Sequence, residues 1–221
     1  MPRPSRYIDR TLLRSGRALF AELGCNGLSV RAVAEHAGVN VGMFHYHFKS
    51  KDNFLRCLLQ ELYDEMFGQL SGAAAQAGTP LERLRQVLVL IATFVRDHGA
   101  VVGRIWADAS AGVRVAREFV QANAPRHFGL LVGLLDAAER DGTLRPMPPL
   151  LRATFLLGAV LAPLLVVPRV VAWGVAPAPV ARHAKGQVLS DHAIATRIDL
   201  ALGALRAMPP ETAHALRRRA A

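Results

Sequence analysis

The chain has 221 residues, enough for one large domain or for a small domain beside a larger one, each with a substantial core. Hydrophobic residues make up 52% of the composition and aromatic residues only 6%, so the composition excludes a disordered chain and favours helices over sheets. The net charge of +10 suits a polyanionic partner, although an arginine-rich solubilising surface gives the same balance.

Several classes of site are missing from the sequence. Cys25 and Cys57 lack the spacing of a disulfide framework or a zinc site, which fits a reducing cytoplasm. The polar N-terminus is unlike a signal peptide, and the longest uncharged run, 153–168, is shorter than the ~20 apolar residues of a membrane span. We interpret that run as a buried helix. We find no catalytic motif, and His45 and His47, two positions apart on a helix, point in different directions and so are not expected to share a metal. The sequence therefore predicts no enzyme, no cofactor, no metal site and no membrane partner.

The first half of the chain begins with short predicted helices. A basic amphipathic helix ends near Gly27, and Ser29 can cap a second helix. Gly38 supplies the left-handed backbone for a sharp exit from that helix. Asn40 can then cap a third helix that runs to about Phe48.

Longer helices follow. Ser50 can cap a fourth helix that continues past residue 70. Thr79, Pro80 and Glu82 form a strong start signal for a fifth helix, which ends near His98. The further predicted elements are helices over 101–109, 113–140 with a possible kink at Pro125, 150–171 and 190–207, a Pro-rich loop over 142–149, and a mobile loop over 174–187.

The second and third helices have the spacing of a helix-turn-helix. The small Ala34 is followed four places later by Gly38 and six places after that by the apolar Phe44. The alanine lets two helices approach closely, the glycine turns the chain, and the apolar residue fixes the next helix. An ordinary helical corner can have the same spacing, so this pattern alone does not identify the motif.

The string LSVRAVAEHAGVNVGMFHYHFKSKDNF, residues 28–54, closely resembles the DNA-binding region of repressors of the tetracycline-repressor (TetR) family. The resemblance covers about residues 6–60 and is most specific in the run YHFKSK, residues 46–51. A helical enzyme or carrier with a basic structural bundle, or a basic protein that lies on membranes, would leave this string unexplained.

The resemblance implies an all-α fold with two domains: an N-terminal three-helix helix-turn-helix domain, residues 1–50, and a larger helical ligand-binding and dimerisation domain, residues 51–221. It also implies a cytoplasmic homodimer that regulates transcription, as a repressor in most relatives. Such a dimer binds a palindromic operator in double-stranded DNA, and an unidentified small-molecule effector releases it.

Carried over residue by residue, the resemblance implies that the start of the third helix faces base edges in the major groove and that its end contacts phosphates. Many relatives have Lys in place of Val41 and Tyr in place of His45, which predicts weaker binding by this helix. Phe44 and Phe48 are expected in the core. The predicted DNA-binding residues are Asn40, Val41 and Met43 as base readers, Gly42 for close backbone approach, His45, Tyr46, His47 and Lys51 as phosphate contacts, and Ser29, Arg31 and Arg6.

Two features of the second domain point to a ligand and to a partner. Polar and aromatic residues among apolar helical ones could line a cavity, although each could equally be ordinary core or surface. The predicted pocket residues are Phe94, His98, Trp106, Asn123 and His127.

The last two long helices are predicted to form the dimer interface, as the resemblance implies, with packing inside one subunit as the alternative. The apolar stripe on the last of them consists of Ile194, Ile198, Ala201, Leu202 and Leu205.

Overall fold

Residues 4–207 are described by the computed structural model of this protein, and the predicted all-α fold is confirmed. A π-helical turn, Lys185–Leu189, adds to the α-helices of this part of the chain. The α-helices in chain order are α1 (Pro4–Gly27), α2 (Val30–Ala37), α3 (Val41–Phe48), α4 (Lys51–Ala74), α5 (Pro80–Ser110), α6 (Arg114–Arg140), α7 (Pro149–Ala172), α8 (Ala178–Ala184) and α9 (Asp191–Leu205).

Local capping determines where the longer helices begin. Ser50 Oγ accepts a hydrogen bond from the Asn53 N–H at 3.2 Å, which confirms the predicted cap of α4. At the start of α5, the Thr79 N–H donates to Glu82 Oε2 at 2.8 Å and the Glu82 N–H donates to Thr79 Oγ1 at 3.2 Å. This reciprocal pair is the predicted capping box, in which two otherwise unpaired backbone donors are satisfied.

The interruptions inside the helices are partly as predicted. The fifth helix was expected to end near His98, and α5 has its one non-helical backbone conformation there, with φ −117° and ψ 18°. The helix nevertheless resumes at once and continues to Ser110. Pro125 lies within α6, which stays helical through it to Arg140.

The prediction of a mobile loop over 174–187 is wrong, because this segment contains α8 and the start of the π-helical turn. Pro177 precedes α8 and Pro179 lies in its first turn. Proline is tolerated there, since the first N–H groups of a helix have no partner inside the helix. The prediction treated these prolines as helix breakers when they mark a helix start.

The chain forms two compact units. One contains the residues up to Gly68 together with His98–Arg126, and the other contains Gln69–Asp97 together with the described residues from His127 onwards. Since the boundaries fall inside α4, α5 and α6, each of these helices contributes to both units. The predicted division after residue 50 assigns functions rather than compact units, and it stays a prediction.

The core of the first unit centres on three phenylalanines. Phe44 and Phe48 on α3 are buried, as predicted, and their ring centroids lie 5.0 and 4.9 Å from that of Phe54 on α4. Gly16 on α1 is required for this packing, because a Cβ there would lie only 2.4 Å from Phe54 Cζ. Helices α1, α3 and α4 therefore share one tightly packed layer.

In the second unit, α7 and α9 pack against each other. The α9 stripe from Ile194 to Leu205 is buried within this single chain, so its predicted role in the dimer interface is wrong and the alternative, packing inside one subunit, is correct. An apolar stripe shows that a face is covered, but it does not show whether the cover comes from the same chain.

Helix α7 is apolar on two sides, of which one is buried. Leu156, Val160 and Leu164 are buried, whereas Phe155 and Val166 are exposed. The prediction of a buried helix is therefore correct for one face only. Both α5 and α7 are long and apolar enough to cross a membrane by length and composition, a test that core helices of soluble proteins also pass.

An arginine links α6 to α7 in the same unit. The Arg152 side chain is 1% exposed, and its Nη2 donates to Asp136 Oδ1 at 2.6 Å while its Nη1 donates to Glu139 Oε2. A buried guanidinium needs such partners, because an unpaired charge in the core is costly.

Candidate DNA-binding surface

The turn between α2 and α3 has the geometry that the sequence predicts. Ser29 Oγ accepts a hydrogen bond from the Ala32 N–H at 3.1 Å and so caps α2. Gly38 has φ 67° and ψ 29°, a left-handed conformation that closes the helix with a hydrogen bond from its N–H to the Glu35 carbonyl. Ala34 is fully buried at the place where a small side chain was expected.

Helix α3 is fixed by its cap and by its buried face. Asn40 Oδ1 accepts a hydrogen bond from the Met43 N–H at 2.9 Å, which confirms the predicted cap. Phe44 and Phe48 hold the opposite face against α4. The helix is therefore positioned by two independent local features, which leaves its other side available to a ligand.

The outward side of α3 begins with the predicted base readers. Val41 and Gly42 are exposed and Met43 is half-buried. A Cβ at position 42 would lie 3.1 Å from Asn40 Oδ1, so the glycine leaves room for the cap as well as for close approach of the helix. Reading of bases by these residues stays a prediction, and their accessible position at a helix N-terminus is compatible with it.

The end of α3 presents polar and basic groups. Tyr46 is 66% exposed, and Lys49 Nζ donates to its carbonyl at 2.8 Å and lies 5.4 Å from its ring centroid. His45 is exposed, with Nδ1 3.3 Å from the Lys49 carbonyl oxygen. Lys49 was missing from the predicted site, although a lysine directly after the third helix, beside the predicted phosphate contacts, was a signal that could have identified it.

His47 does not lie on this surface. Its side chain is only 5% exposed, and its Nδ1 contacts Asp9 Oδ1 on α1. The predicted phosphate contact therefore needs correcting, because a buried ring engaged with a carboxylate cannot reach a duplex. His47 instead joins α3 to α1, and Asp9 is a second residue that the sequence did not reveal.

Three other residues that were predicted to contact DNA, Lys51, Ser29 and Arg31, form hydrogen bonds or ion pairs within the protein. Lys51 Nζ donates to the Asn26 carbonyl at 2.9 Å and so joins the start of α4 to the end of α1. Ser29 caps α2, and the highly exposed Arg31 pairs with Glu35 one turn later. Contacts of all three with DNA stay predictions.

The predicted contact of Arg6 lies outside the residues whose side chains the structure describes. The same is true of the remainder of the N-terminal arm, residues 2–5, and of the arginine run 217–219.

The predicted pocket residues do not belong to one compact unit. His98, Trp106 and Asn123 lie in the first unit, while Phe94 and His127 lie in the second. Asn123 is buried, whereas Trp106 is 55% exposed. Their role as a pocket lining stays a prediction.

Each unit contains a concave groove, and of the predicted pocket residues Asn123 lines the groove of the first unit. In the first unit, a groove of about 760 Å³ lies between α4 and α6, and its lining includes Arg56, Phe119 and Asn123. In the second unit, a groove of about 890 Å³ is lined mainly by apolar residues such as Val167 and Leu189.

Comparison with known proteins agrees with this geometry. Residues 12–57 match the family model described as bacterial regulatory proteins, tetR family. The chain is 28% identical over 148 residues to the HTH-type transcriptional repressor KstR2 of Mycolicibacterium smegmatis, an alignment that covers 65% of this chain and 71% of that protein.

Solved structures share the fold of almost the whole chain. A transcriptional regulator from Saccharomonospora viridis in complex with choline has a TM-score of 0.72 at 17% identity, covering 92% of this chain and 100% of that one. The ketosteroid transcriptional regulator KstR2 of Mycobacterium tuberculosis has a TM-score of 0.65 at 20% identity, covering 90% and 95% of the two chains.

Proposed function

We propose that this chain is a TetR-family transcription regulator, a dimeric repressor whose α3 reads a palindromic operator and which a small molecule releases; the match of residues 12–57 to the family model supports the proposal. It is a DNA-binding regulator and not an enzyme. We place it in the cytoplasm, where the DNA of a bacterium is accessible and where the two free thiols, Cys25 and Cys57, stay reduced.

The observation that carries the proposal is the position of α3. One side of this helix is pinned by Phe44 and Phe48, and the other side presents Val41, Gly42 and Tyr46 outwards. A short helix held in this way can enter a major groove, where base edges differ in their donor and acceptor patterns. Lys49 beside Tyr46 adds the positive charge that a phosphate backbone attracts.

We propose that the exposed side of α7 forms the dimer interface. Leu151, Phe155, Gly158, Ala162 and Val166 recur every three or four residues on this side and are exposed in the single chain. An exposed apolar stripe of this kind is stabilised by burial against a second copy. A two-fold axis would then place two copies of α3 in successive major grooves, about 34–36 Å apart.

Release by an effector requires a ligand that binds the DNA-free state more tightly than the operator-bound state. One solved structure of this fold is that of a ketosteroid transcriptional regulator and another is a complex with choline, so the molecules named with this fold differ chemically. We therefore propose a small-molecule effector here without carrying over either ligand.

The proposal is tested by measuring fluorescence anisotropy with a labelled duplex from the region upstream of the gene, in excess competitor DNA and over a range of salt concentrations. Lys49→Gln is expected to weaken binding several-fold for every duplex and to reduce the salt slope by about one. Lys185→Gln, which removes the same charge from an exposed position in the other unit, is expected to have no effect. Binding that does not discriminate between duplexes, or equal effects of the two variants, would contradict the proposal.

A further inference from the structure

The segment that links α7 to α8 exposes large apolar side chains. Trp173 is 71% exposed, Val175 67% and Val180 54%. Every residue of 172–180 except Ala176 is exposed, and none of them carries a charge. A contiguous apolar patch of this kind on a protein surface commonly marks a place where a partner binds. We call residues 172–180 the apolar segment.

The local sequence explains why this segment leaves the core. Gly174 has φ 70°, a left-handed conformation that ends α7, and Pro177 and Pro179 around the start of α8 lack the N–H groups that a continuous helix would need. Of the residues of α8, only Ala184 is buried. The apolar side chains of the segment therefore do not contribute to the core of this chain.

The stretch around the apolar segment is basic and contains no acidic residue. Between Asp141 and Asp191 the sequence has neither Asp nor Glu, although the chain has 17 of these residues in all. Arg169 precedes the segment, and Arg182 and Lys185 follow it. The apolar side chains are therefore flanked by positive charge on both sides along the chain.

The two cations after the segment are available to an anion. The side chains of Arg182 and Lys185 are exposed, and neither forms a hydrogen bond or an ion pair with another residue that the structure describes. Asp97 and Asp191 line the same groove as Lys185, but both are paired with Arg96. The chain itself therefore does not neutralise these two cations.

An exposed tryptophan beside aliphatic residues and unpaired cations has the composition of a segment that lies at a membrane surface. Tryptophan prefers the headgroup region of a bilayer, aliphatic side chains partition just below it, and anionic headgroups attract Lys and Arg. DNA would use the cations but would leave Val175 and Val180 without a partner. A second copy, placed on the segment by a two-fold axis, would bring the same cations against it. Charge complementarity therefore favours an anionic lipid surface.

We infer that the apolar segment, together with Arg182 and Lys185, binds the surface of a bilayer that contains anionic phospholipids. Trp173 would lie at the level of the headgroups. Surface attachment needs neither a signal peptide nor a membrane-spanning run, and the prediction of no membrane partner rested on the absence of these two features. The inference concerns the second unit alone and does not rest on the proposed DNA binding.

The inference is tested by sedimenting the full chain with vesicles of phosphatidylglycerol and phosphatidylcholine in equal parts, and with vesicles of phosphatidylcholine alone. The mixed vesicles are expected to bind the protein at least tenfold more tightly than the neutral ones, and their affinity should fall as salt is added. Equal binding to both kinds of vesicle, or binding to neither, would overturn the inference.

A pair of variants tests the apolar contribution. Trp173→Ser should weaken binding to the mixed vesicles about tenfold. Leu200→Ser removes an equally exposed apolar side chain from α9 and should leave binding unchanged. Equal losses in the two variants would show that general surface hydrophobicity causes the binding, and the apolar segment would not be the site.

A second pair tests the charged contribution. Arg182→Gln combined with Lys185→Gln should weaken binding to the mixed vesicles about tenfold. Arg117→Gln combined with Arg140→Gln removes the same charge from exposed positions on α6 and should leave binding unchanged. Equal losses in the two double variants would show that only the net charge matters, which would overturn the assignment to this segment.

Trp173 also provides a readout that needs no loss of binding. The chain has two tryptophans, so the emission of the Trp106→Phe variant comes from Trp173 alone. Mixed vesicles should shift this emission to shorter wavelengths, and brominated phospholipid should quench it. Emission that stays that of a water-exposed indole on saturating vesicles would show that another part of the chain binds them, and would overturn the assignment.

Two further outcomes would assign the segment to another partner and overturn the inference. If vesicles do not bind and Trp173→Ser converts a dimer into a monomer, a second copy covers the segment. If vesicles do not bind and the loss of Arg182 and Lys185 weakens binding to every duplex, the segment contacts DNA. Vesicle binding by a chain that prefers no duplex would refute the proposed function and support this inference.

Discussion

His47 on α3 is paired with Asp9 on α1 through its Nδ1, with the imidazole almost completely buried. The pair ties α3 to α1, in addition to the contacts of Phe44 and Phe48 with Phe54 on α4, so α3 is anchored to two neighbouring helices. A residue in the most family-specific part of the sequence therefore acts on the position of the DNA-binding helix.

Substitutions of this pair should separate a structural role from a phosphate contact. We expect His47→Gln and Asp9→Asn each to weaken operator binding several-fold and to lower the urea midpoint of unfolding. Because both substitutions remove the same contact, the double variant should lose less unfolding free energy than the sum of the two single losses. The salt slope of binding should stay at the wild-type value. A slope reduced by about one in His47→Gln would instead indicate a lost phosphate contact.

Asn40 combines a helix cap with a predicted base contact, and two substitutions distinguish these roles. Asn40→Ser keeps an oxygen for the Met43 N–H and should leave stability close to wild type, whereas Asn40→Ala should cost about 1 kcal/mol of unfolding free energy. Both should change sequence preference in binding to a library of operator variants. If Asn40→Ser binds every operator variant as the wild type does, Asn40 is a cap and not a reader.

Phe155 is expected to be central to the dimer. Phe155→Glu places a charge in the exposed α7 stripe, and sedimentation should then show a monomer with strongly reduced operator affinity. Val180→Glu introduces the same charge at an exposed apolar position on α8 and should stay dimeric. Dimers formed by both variants would exclude the α7 stripe as the interface.

Arg152 should contribute to stability through its two carboxylate partners. Arg152→Met keeps the apolar stem and loses both ion pairs, and we expect a loss of about 2 kcal/mol, below the usual range for a broken buried pair because the carboxylates can rehydrate. Arg152→Ala should cost about 1 kcal/mol more because it also leaves a cavity. Urea unfolding followed by circular dichroism measures both, and identical midpoints for all three proteins would show that the pairs contribute nothing.

Stability should fall in acid partly through Asp199. A bidentate hydrogen bond from Arg85 holds the pKa of this carboxyl below its usual range. The contribution of this ion pair to the free energy of unfolding is fully present above the ordinary carboxyl pKa of about 4. It is lost as the pH falls through the lower pKa of Asp199 in the folded protein. Because both side chains are half-exposed, it should amount to less than about 1 kcal/mol. Asp199→Asn should show a shallower fall of Tm between pH 5 and 3, and an unchanged slope would argue against the linkage.

Local interactions explain why much of the fold could be predicted from the sequence. The caps formed by Ser29, Asn40 and Ser50 and the box of Thr79 and Glu82 connect residues at most three positions apart, so the sequence contains both partners of each interaction side by side. The same applies to the spacing that predicts the α2–α3 turn.

The interactions that were missed join residues far apart along the chain. His47 is polar and lies next to an exposed tyrosine, and only the packing of α1 shows that Asp9 buries it. The α9 stripe is apolar in the same way whether α7 of its own chain or a second copy covers it. Similarly, the groove between α4 and α6 depends on residues about 60 positions apart, such as Gln60 and Asn123.

The chain enters the first unit at its start, leaves it at Gly68, returns at His98 and leaves again at Arg126. The returning segment supplies Asp108, which accepts a hydrogen bond from the Cys25 N–H at 2.7 Å near the end of α1. A gene fragment that stops after α4 would therefore encode every proposed DNA contact and still lack part of the scaffold around α1. The proposed DNA specificity could be moved between homologues only by transplanting the residues up to Gly68 together with His98–Arg126, since the unit is assembled from these two separate pieces of one polypeptide.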